Sequence, residues 1–194
     1  KSLFNAESSL FERNFDIDIE NDEWQIGLIV GASGSGKTSI GKTIFGQNKI
    51  IDLYSNWDSE KPIIDCIGSE KSFNEVTGAL ASVGLGDVPS WIKPFKSLSN
   101  GQQFRAGLAR AIIDAEDEIV IDEFTSVVDR QIAKIGALAF GKSWRKNKGK
   151  RVVLLSCHYD VAEWLQPDWI FDTNTGELKK KAQLVQGQKS MLKF

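Results

Sequence analysis

The sequence predicts a single α/β domain over residues 1–194, built on a mostly parallel central sheet. Short apolar stretches alternate along the chain with segments of helical spacing, which is typical of strands joined by helices. A glycine-rich turn also connects an apolar stretch to a helical segment near the N-terminus. Hydrophobic residues make up 41% of the chain, which excludes a disordered polypeptide.

Five short apolar runs predict buried strands, at 25–30, 49–53, 118–121, 151–156 and 169–172. Apolar residues at helical spacing predict helices that begin at residue 38 and cover 72–83, 100–114, 129–146 and 159–165. The segment from Gly84 to Pro94 contains two prolines and predicts a loop. These elements, in this order, predict strands that run parallel in one sheet.

The two ends of the chain carry separate expectations. Residues Phe15 to Ile19 alternate apolar and polar side chains, and a polar turn at 20–23 follows them. This pattern predicts an N-terminal antiparallel β hairpin laid against the main sheet. The C-terminal tail, about 179–194, begins with a run of lysines and is expected to be solvated.

Charge and cysteine content exclude several classes of protein. The net charge of −2 provides no global field that would draw the chain to nucleic acid or to a membrane. Two cysteines, Cys66 and Cys157, form neither a disulfide framework nor a metal-ligand pattern. No apolar run reaches the ~18 residues that a membrane span needs. We therefore expect a cytoplasmic, reduced protein.

Residues Gly31 to Thr38 read GASGSGKT and fit the phosphate-binding pattern G-x-x-x-x-G-K-[ST]. The motif lies between a predicted strand and a predicted helix, so backbone N–H groups and the helix N-terminus would surround phosphate oxygens. Lys37 would reach the β- and γ-phosphates, and the Thr38 hydroxyl would bind Mg²⁺. The predicted nucleotide-binding residues are Gly31, Ala32, Ser33, Gly34, Ser35, Gly36, Lys37, Thr38 and Ser39.

A second chemical element follows the apolar run at 118–121. Asp122 and Glu123 come at the end of a predicted buried strand, on the sheet edge where the phosphate loop also lies. Asp122 would hold Mg²⁺, directly or through water. Glu123 would polarise the attacking water. The alternative is a strand that ends in solvated acids, and the preceding phosphate loop favours the catalytic interpretation.

Three further motifs resemble those of the ABC-class ATPases, the ATP-binding cassettes. Leu98 to Gln102 reads LSNGQ and is similar to the family's LSGGQ signature, and the likeness continues through Arg105 and residues 109–111. Residues 125–129, TSVVD, resemble the D-loop that commonly reads SALD. His158 follows a buried strand as the family's switch histidine does. The resemblance covers residues 31–158 and implies a P-loop ATPase that uses ATP and Mg²⁺.

The resemblance implies a head-to-tail homodimer that closes around ATP. One copy would supply Lys37, Thr38, Asp122, Glu123 and His158, of which Lys37, Glu123 and His158 are the catalytic residues. The other copy would supply the signature residues Ser99, Asn100, Gly101 and Gln102, together with Asp129 of the D-loop. Hydrolysis would release the dimer, so that the product is mechanical work or a switch.

The sequence departs from the family pattern at three places. Asn100 replaces the second signature residue, usually glycine, and Phe124 replaces the proline that usually follows the Asp-Glu pair. The Q-loop glutamine has no clear counterpart, and Asn56 or Asp58 would have to act for it. The interval before Ser99 is short, so the helical subdomain, about 56–114, is expected to be reduced. Because transporters use these parts to grip their membrane subunit, such a partner is not expected.

The sequence of three segments, 122–130, 156–161 and 163–169, also resembles that of a soluble prokaryotic and phage ABC-type family. That resemblance implies an ATPase module with an acetyltransferase-like or DNA-processing partner. Two alternatives remain. The basic run at 142–151, KSWRKNKGKR, is typical of a solvated helix end, but it would also suit an SMC-like ATPase bound to nucleic acid. The other alternative is the motor subunit of an ABC transporter.

Aromatic residues supply two more hypotheses. Adenine needs an aromatic face, and Phe4 fits that position best, with Phe11 next, although both also suit a core. Trp57 and Trp91 lie in the predicted helical subdomain. Core packing is the usual role of such residues, and an exposed tryptophan there would instead anchor a partner.

Overall fold

The computed structural model describes residue 19 and residues 23–181. The strands are β1 (Ile26–Val30), β2 (Ile50–Ile51), β3 (Glu118–Ile121), β4 (Arg151–Ser156), β5 (Trp169–Asp172) and β6 (Glu177–Lys180). The α-helices are α1 (Lys37–Phe45), α2 (Ile63–Cys66), α3 (Phe73–Ser82), α4 (Val88–Trp91), α5 (Asn100–Asp114), α6 (Arg130–Trp144) and α7 (Val161–Leu165). Two 3₁₀ turns cover Gln47–Lys49 and Phe95–Ser97.

The six strands form one sheet in the order β2-β3-β4-β1-β5-β6, in which only the β5–β6 pair is antiparallel. The predicted parallel sheet is therefore confirmed. Val30 at the end of β1 is in register with Ser156 of β4 and Asp172 of β5. The carboxyl ends of these three strands consequently lie level, and the loops that follow them meet at one edge.

Helices cover both faces of the sheet because successive side chains of a buried strand point to opposite sides. Ile29, Val153 and Leu155 pack with Ile40 of α1 on one face. Leu28 and its neighbours in β3 and β4 join a larger core on the other face, which includes side chains of α5, α6 and α7. The site-bearing loops are thus held by a three-layer core.

Several helices begin at a residue whose side chain accepts backbone N–H bonds. Ser72 and Ser99 form capping boxes at the starts of α3 and α5, and Asp129 caps α6. The predicted loop at 84–94 is wrong in part, because Asp87 caps α4 and a proline lies in its first turn. A proline there lacks only an N–H that has no helical partner in any case.

The ends of the chain give mixed outcomes. The predicted N-terminal hairpin, with Phe4 and Phe11, lies outside the described residues, apart from Ile19 and residue 23. The strand at 169–172 is not the last one, because the chain returns as β6 and pairs with it. Lys179 and Lys180, expected in a solvated tail, therefore belong to an edge strand, where lysines are common because they discourage pairing with other chains. Residues 182–194 lie outside the described part.

The close packing of β1 against β5 yields a stability prediction. A Cβ added at Gly27 would lie 2.1 Å from Cζ2 of Trp169, whose ring is buried. We expect Gly27→Ala to lower the free energy of unfolding by about 1–3 kcal/mol, because a rigid ring must move.

Gly78, exposed within α3, has no atom within 4 Å of such a Cβ. Gly78→Ala should instead raise the free energy of unfolding by about 0.5–1 kcal/mol in the same urea titration. Equal effects at the two sites would contradict this packing.

Candidate functional site

The phosphate loop lies between β1 and α1. Helix α1 begins at Lys37, so the N–H groups of its first turn have no carbonyl partner within the helix. Gly34 and Gly36 have φ of 77° and 90°, a left-handed conformation that favours glycine. The Lys37 ammonium donates to the carbonyl oxygens of Gly31 and Ala32, both at 2.8 Å. The Lys37 ammonium is therefore held at the loop, next to a helix start whose N–H groups have no helical partner.

A neighbouring turn braces this loop. The hydroxyl oxygen of Thr173, which follows β5, lies 2.7 Å from the Ser35 hydroxyl oxygen and 3.2 Å from the carbonyl oxygen of Val30. A Cβ at Gly31 would lie 1.7 Å from the Thr173 hydroxyl oxygen. Glycine at position 31 is therefore required by the close approach of Thr173. The sequence analysis assigned Thr173 no role, and the signal that identifies it is the pairing of β5 with β1.

Thr38 and Asp122 form the predicted cation-binding pair. The Thr38 hydroxyl lies 3.0 and 3.2 Å from the two carboxylate oxygens of Asp122. A hydroxyl and a carboxylate are hard oxygen donors, and Mg²⁺ is usually held by one or two such groups together with water and phosphate. The residues therefore fit Mg²⁺. Within residue 19 and residues 23–181, no cluster of three or more His, Cys, Asp or Glu side chains offers a more complete metal site.

The loop after β3 carries the second acid. Glu123 is exposed and donates its backbone N–H to Asp122 at 2.9 Å. Glu123 and Thr125 have positive φ, 51° and 68°, and Phe124 lies between them. Phe124 is fully buried and its N–H donates to the carbonyl of Leu155 at 2.9 Å, a bond that a proline could not make. Phe124, which stands where the family usually has proline, therefore helps to fix the conformation of this loop.

His158 lies at the same edge, in the loop after β4. Its N–H donates to the Ser156 hydroxyl at 3.1 Å, and its Nδ1 lies 3.4 Å from the hydroxyl oxygen of Thr125. Burial lowers the pKa of His158, the nearby Arg130 lowers it further, and Asp160 acts in the opposite direction. The imidazole is consequently neutral at neutral pH. The structure brings it together with the loop that holds Asp122 and Glu123.

The signature residues lie at the start of α5. The exposed Ser99 caps this helix by accepting from the N–H of Gln102 at 3.3 Å. The Gln102 side chain accepts from the Ser99 N–H at 3.0 Å and donates to the Ser90 hydroxyl at 3.2 Å. Asn100 begins the helix and has no left-handed backbone, so glycine is not needed there for conformation. None of these contacts reaches the phosphate loop among the described residues.

The D-loop residue Asp129 caps α6, accepting from the backbone N–H groups of Gln131 and Ile132, both at 2.9 Å. Gly101 faces the same helix, since a Cβ at Gly101 would lie 3.1 Å from Cδ1 of Ile132. The signature therefore packs against the first turn of α6, the helix that Asp129 of the D-loop caps.

Asn56 and Asp58, the two candidates for the Q-loop residue, do not contact the acids after β3. The Asp58 carboxylate accepts from the Glu60 N–H at 2.9 Å, and the Asn56 carbonyl accepts from Arg110 at 3.0 Å. No described contact joins Asn56 or Asp58 to Thr38, Asp122 or Glu123. Both residues instead take part in the local structure of the segment after β2.

Trp57 is a packed residue. Its ring stacks on Phe95 with centroids 4.4 Å apart, and the Arg110 guanidinium lies 3.9 Å above the same ring. Trp91 donates to the Leu85 carbonyl at 2.8 Å and meets Phe73 edge-on at 6.3 Å. Phe73, Val88 and Ile92 are 65%, 56% and 64% exposed. These three side chains, with Trp91, form the apolar patch of the helical subdomain.

The basic run at 142–151 is partly structural. Arg145 pairs with Asp168 at 2.6 Å, Lys150 donates to the Ala115 carbonyl at 2.7 Å, and Arg151 lies over the Trp24 ring at 4.9 Å. Burial alone would raise the pKa of Asp168, but hydrogen bonds from Arg145 and from the backbone N–H groups of Ile26 and Gln25 hold it below its usual value. Three of the six basic residues of the run are therefore engaged within the chain, which differs from the expected solvated helix end and leaves fewer of them for nucleic acid.

Thr125 and Arg130 lie inside the quoted motif but received no role from the sequence. Arg130 donates to the Thr125 hydroxyl at 3.3 Å and pairs with Asp160. Thr125 lies close to Arg130 along the chain, but Asp160 lies 30 positions away, so spacing alone gave no signal that the three side chains meet.

Comparison with known proteins gives relatives of low identity, and no protein-family model matches the chain. The energy-coupling factor transporter ATP-binding protein EcfA1 of Leuconostoc mesenteroides is 23% identical over 88% of this chain and 74% of that protein. ABC transporter G family member 23 of Dictyostelium discoideum is 27% identical over 79% of this chain but only 26% of its own length. The oligopeptide transport ATP-binding protein OppF of Lactococcus lactis is 28% identical over 72% of this chain and 56% of that protein.

These relatives are named for transport, which speaks against the expectation that no membrane subunit is a partner. None of the three is named for acetyltransfer or DNA processing. Among the described residues, no helix has both the length and the apolar character to cross a membrane.

The structural neighbours agree with the sequence relatives. The dimeric ATP-binding cassette MJ0796, in a post-hydrolysis state bound to ADP and Pi, has a TM-score of 0.64 at 18% identity, over 82% of this chain and 87% of that chain. A bacterial Atm1-family ABC exporter with ATP bound has a TM-score of 0.61 at 17% identity, over 84% of this chain and 35% of that chain. The chain thus has the α/β P-loop fold of the ABC ATP-binding cassettes, and its sequence relatives are named as transport proteins, several of them as ATP-binding proteins.

Proposed function

We propose that the chain binds Mg-ATP and hydrolyses it to ADP and phosphate, closing as a head-to-tail homodimer to drive or switch a partner. The observation that carries this proposal is the 3.0 Å hydrogen bond between Thr38 and Asp122. It joins the phosphate loop after β1 to the acids after β3, which are the two halves of a phosphoryl-transfer site.

The residues divide the work according to their chemistry. Lys37, fixed at the loop, pairs with the β- and γ-phosphates. Thr38 and Asp122 hold Mg²⁺, which when bound neutralises charge that develops on the phosphate oxygens. Glu123, whose exposed carboxylate has no partner among the described side chains, orients the attacking water. His158, neutral at neutral pH, donates a hydrogen bond toward the γ-phosphate.

The second copy would complete the site with its α5 and α6. The Ser99 hydroxyl accepts from Gln102 within its own helix, so its proton stays available for a phosphate oxygen across the interface. The direct packing of Gly101 on Ile132 would make the signature and Asp129 approach as one unit. ATP would then join the two copies, and loss of the γ-phosphate would remove the contacts that favour the closed dimer.

A transporter's motor subunit is the second candidate, favoured by the names of the relatives. The apolar patch of the helical subdomain supports it, because Phe73, Val88 and Ile92 leave large apolar areas exposed. We propose a membrane subunit as the occupant of this patch. An acetyltransferase-like or DNA-processing partner is the alternative outcome of the partner test.

The first prediction concerns Lys37. Lys37→Ala should weaken ATP binding roughly 10- to 100-fold, because the β- and γ-phosphates lose their charged donor in the loop. Equilibrium titration with labelled ATP measures this. Lys42→Ala is the matched control, since Lys42 is exposed on the same helix. Unchanged affinity for Lys37→Ala would refute the phosphate-loop assignment.

The second prediction concerns closure. Glu123→Gln keeps the hydrogen bonding of the site but removes the carboxylate, so hydrolysis should fall roughly 10²- to 10⁴-fold. This variant should dimerise with ATP and Mg²⁺ and stay monomeric with ADP, as measured by light scattering. Adding Ser99→Arg should abolish the dimer without loss of ATP binding.

Ser72→Arg provides the matched control for Ser99→Arg. Ser72 is exposed and caps α3 through the same capping box, with the same 3.3 Å bond to the residue three positions on. Both substitutions should cost about 1 kcal/mol of helix capping. Only the change at Ser99 should break the dimer. A monomer under all conditions, or equal loss in both variants, would contradict the sandwich arrangement.

The third prediction concerns the partner. Affinity-tagged wild-type chain, purified in detergent, should retain an integral membrane protein, and Ile92→Asp should lose it because a charge disrupts the apolar patch. Ile135→Asp is the control, since Ile135 is 51% exposed on α6, outside the patch. Recovery of a soluble enzyme in place of a membrane protein would favour the alternative partner.

A further inference from the structure

Arg130 occupies a position that helix stability does not explain. It is the first residue of α6, directly after the cap Asp129, and no acidic residue lies in that first turn. The N-terminus of a helix carries partial positive charge, so a cation there costs a few tenths of a kcal/mol or more. An arginine at this position therefore has another purpose.

Three neighbours fix the Arg130 guanidinium. Its Nε donates to Asp160 at 3.1 Å, and its centre lies 5.0 Å from the Trp164 ring centroid. Its Nη1 donates to the hydroxyl oxygen of Thr125 at 3.3 Å. The carboxylate and the ring hold the guanidinium plane, so the third donor is aimed at Thr125.

The donor at Arg130 sets the direction of the next hydrogen bond. A guanidinium has donors only, so the Thr125 oxygen must accept from it. Thr125 is only 1% exposed, so water does not compete for its hydroxyl. Among the described residues, the second polar group in contact with this hydroxyl is Nδ1 of His158, at 3.4 Å. The hydroxyl proton is therefore directed at Nδ1, which must accept it.

An accepting Nδ1 places the proton of a neutral imidazole on Nε2. The surroundings of the ring favour this neutral form on balance, because burial lowers the pKa of His158 and Arg130 lowers it further, while Asp160 acts in the opposite direction. Cys157 is the other titratable neighbour, with Sγ 3.7 Å from Nδ1 and 3.9 Å from Nε2. A thiol is a weak donor and acceptor, so it does not override the hydroxyl.

We propose that Arg130 is a positioning residue: acting through the Thr125 hydroxyl, it fixes the tautomer of His158 so that Nε2–H is the donor presented to the γ-phosphate. This inference rests on the proposed ATPase function. In this proposal Arg130, the residue after the D-loop and the first of α6, determines which nitrogen of His158 carries the proton.

The chain contains a single histidine, so isotope labelling of histidine gives one imidazole to observe. We expect long-range ¹H–¹⁵N NMR of the nucleotide-free protein, above the pKa of His158, to show the Nε2–H tautomer predominantly. Thr125→Val keeps the branched shape at this left-handed residue but removes the hydroxyl. It should give a mixture of both tautomers, and Thr125→Ser should restore the wild-type state.

Arg130→Met adds an independent readout. Loss of the cation, with Asp160 left in place, should raise the pKa of His158, and the acid limb of the ATPase pH profile should move to higher pH. Arg130→Lys keeps the positive charge but not the guanidinium geometry. Compared with Arg130→Met, it should bring the pKa of His158 back toward the wild-type value more fully than it restores the wild-type tautomer ratio. A predominant Nδ1–H tautomer in the wild type, or identical tautomer ratios in wild type and Thr125→Val, would overturn the inference. The expected tautomers without any ATP hydrolysis would overturn the proposed function and leave the Arg130 assignment standing.

Discussion

The burial of Phe124 is the constraint on which the arrangement of the site depends. Its ring lies between those of Phe104 and Phe140, with centroids 5.9 and 6.1 Å away. Left-handed conformations at the residues on either side cost about 1–2 kcal/mol each. Full burial of a phenylalanine contributes about 1.5–3 kcal/mol, and the bond to Leu155 adds to it, so the strained turn is held. Glu123 is thereby kept exposed beside Asp122, and Thr125 is kept buried beside His158.

The same aromatic cluster connects the two sides of the proposed dimer mechanism. Phe104 belongs to α5, which begins with the signature, and Phe140 belongs to α6, which begins after Asp129. A shift of the loop that carries Glu123 would therefore move side chains packed against both helices. Interiors packed at this density transmit such displacements instead of absorbing them. One core thus serves both the acids that act in their own copy and the helices that would reach the other copy.

The sequence predicted those parts of the fold in which local pattern and tertiary environment agree. The strands at 118–121, 151–156 and 169–172 and the helix at 100–114 have the predicted bounds, because continuous apolar runs and a complete capping box mark them. Helices α2 and α4 are four residues long, too short for a periodic pattern. The lysines of β6 read as a tail because an edge strand needs little apolar character.

The positions of the site residues were predictable where a motif fixes them on consecutive backbone, as at Gly31–Thr38 and Asp122–Glu123. The contacts of Thr173 with Ser35 and of Arg130 with Asp160 were not predictable, because they depend on sheet order and on packing between segments that are distant along the chain. The basic run illustrates the same limit. Its composition suits nucleic acid, whereas Arg145 and Lys150 are engaged with Asp168 and the Ala115 carbonyl.

The signature shows how one motif separates structural from ligand-facing groups. Both polar ends of the Gln102 side chain are engaged within the chain, one with the Ser99 N–H and the other with Ser90. Gln102 therefore holds the start of α5 through both ends of its side chain, whereas Ser99 and Asn100 are exposed. Gly101 is buried against Ile132, so Ser99 and Asn100 are the exposed residues at this helix start. In the proposed dimer, this exposed face is the part of the helix start that the nucleotide of a second copy would contact.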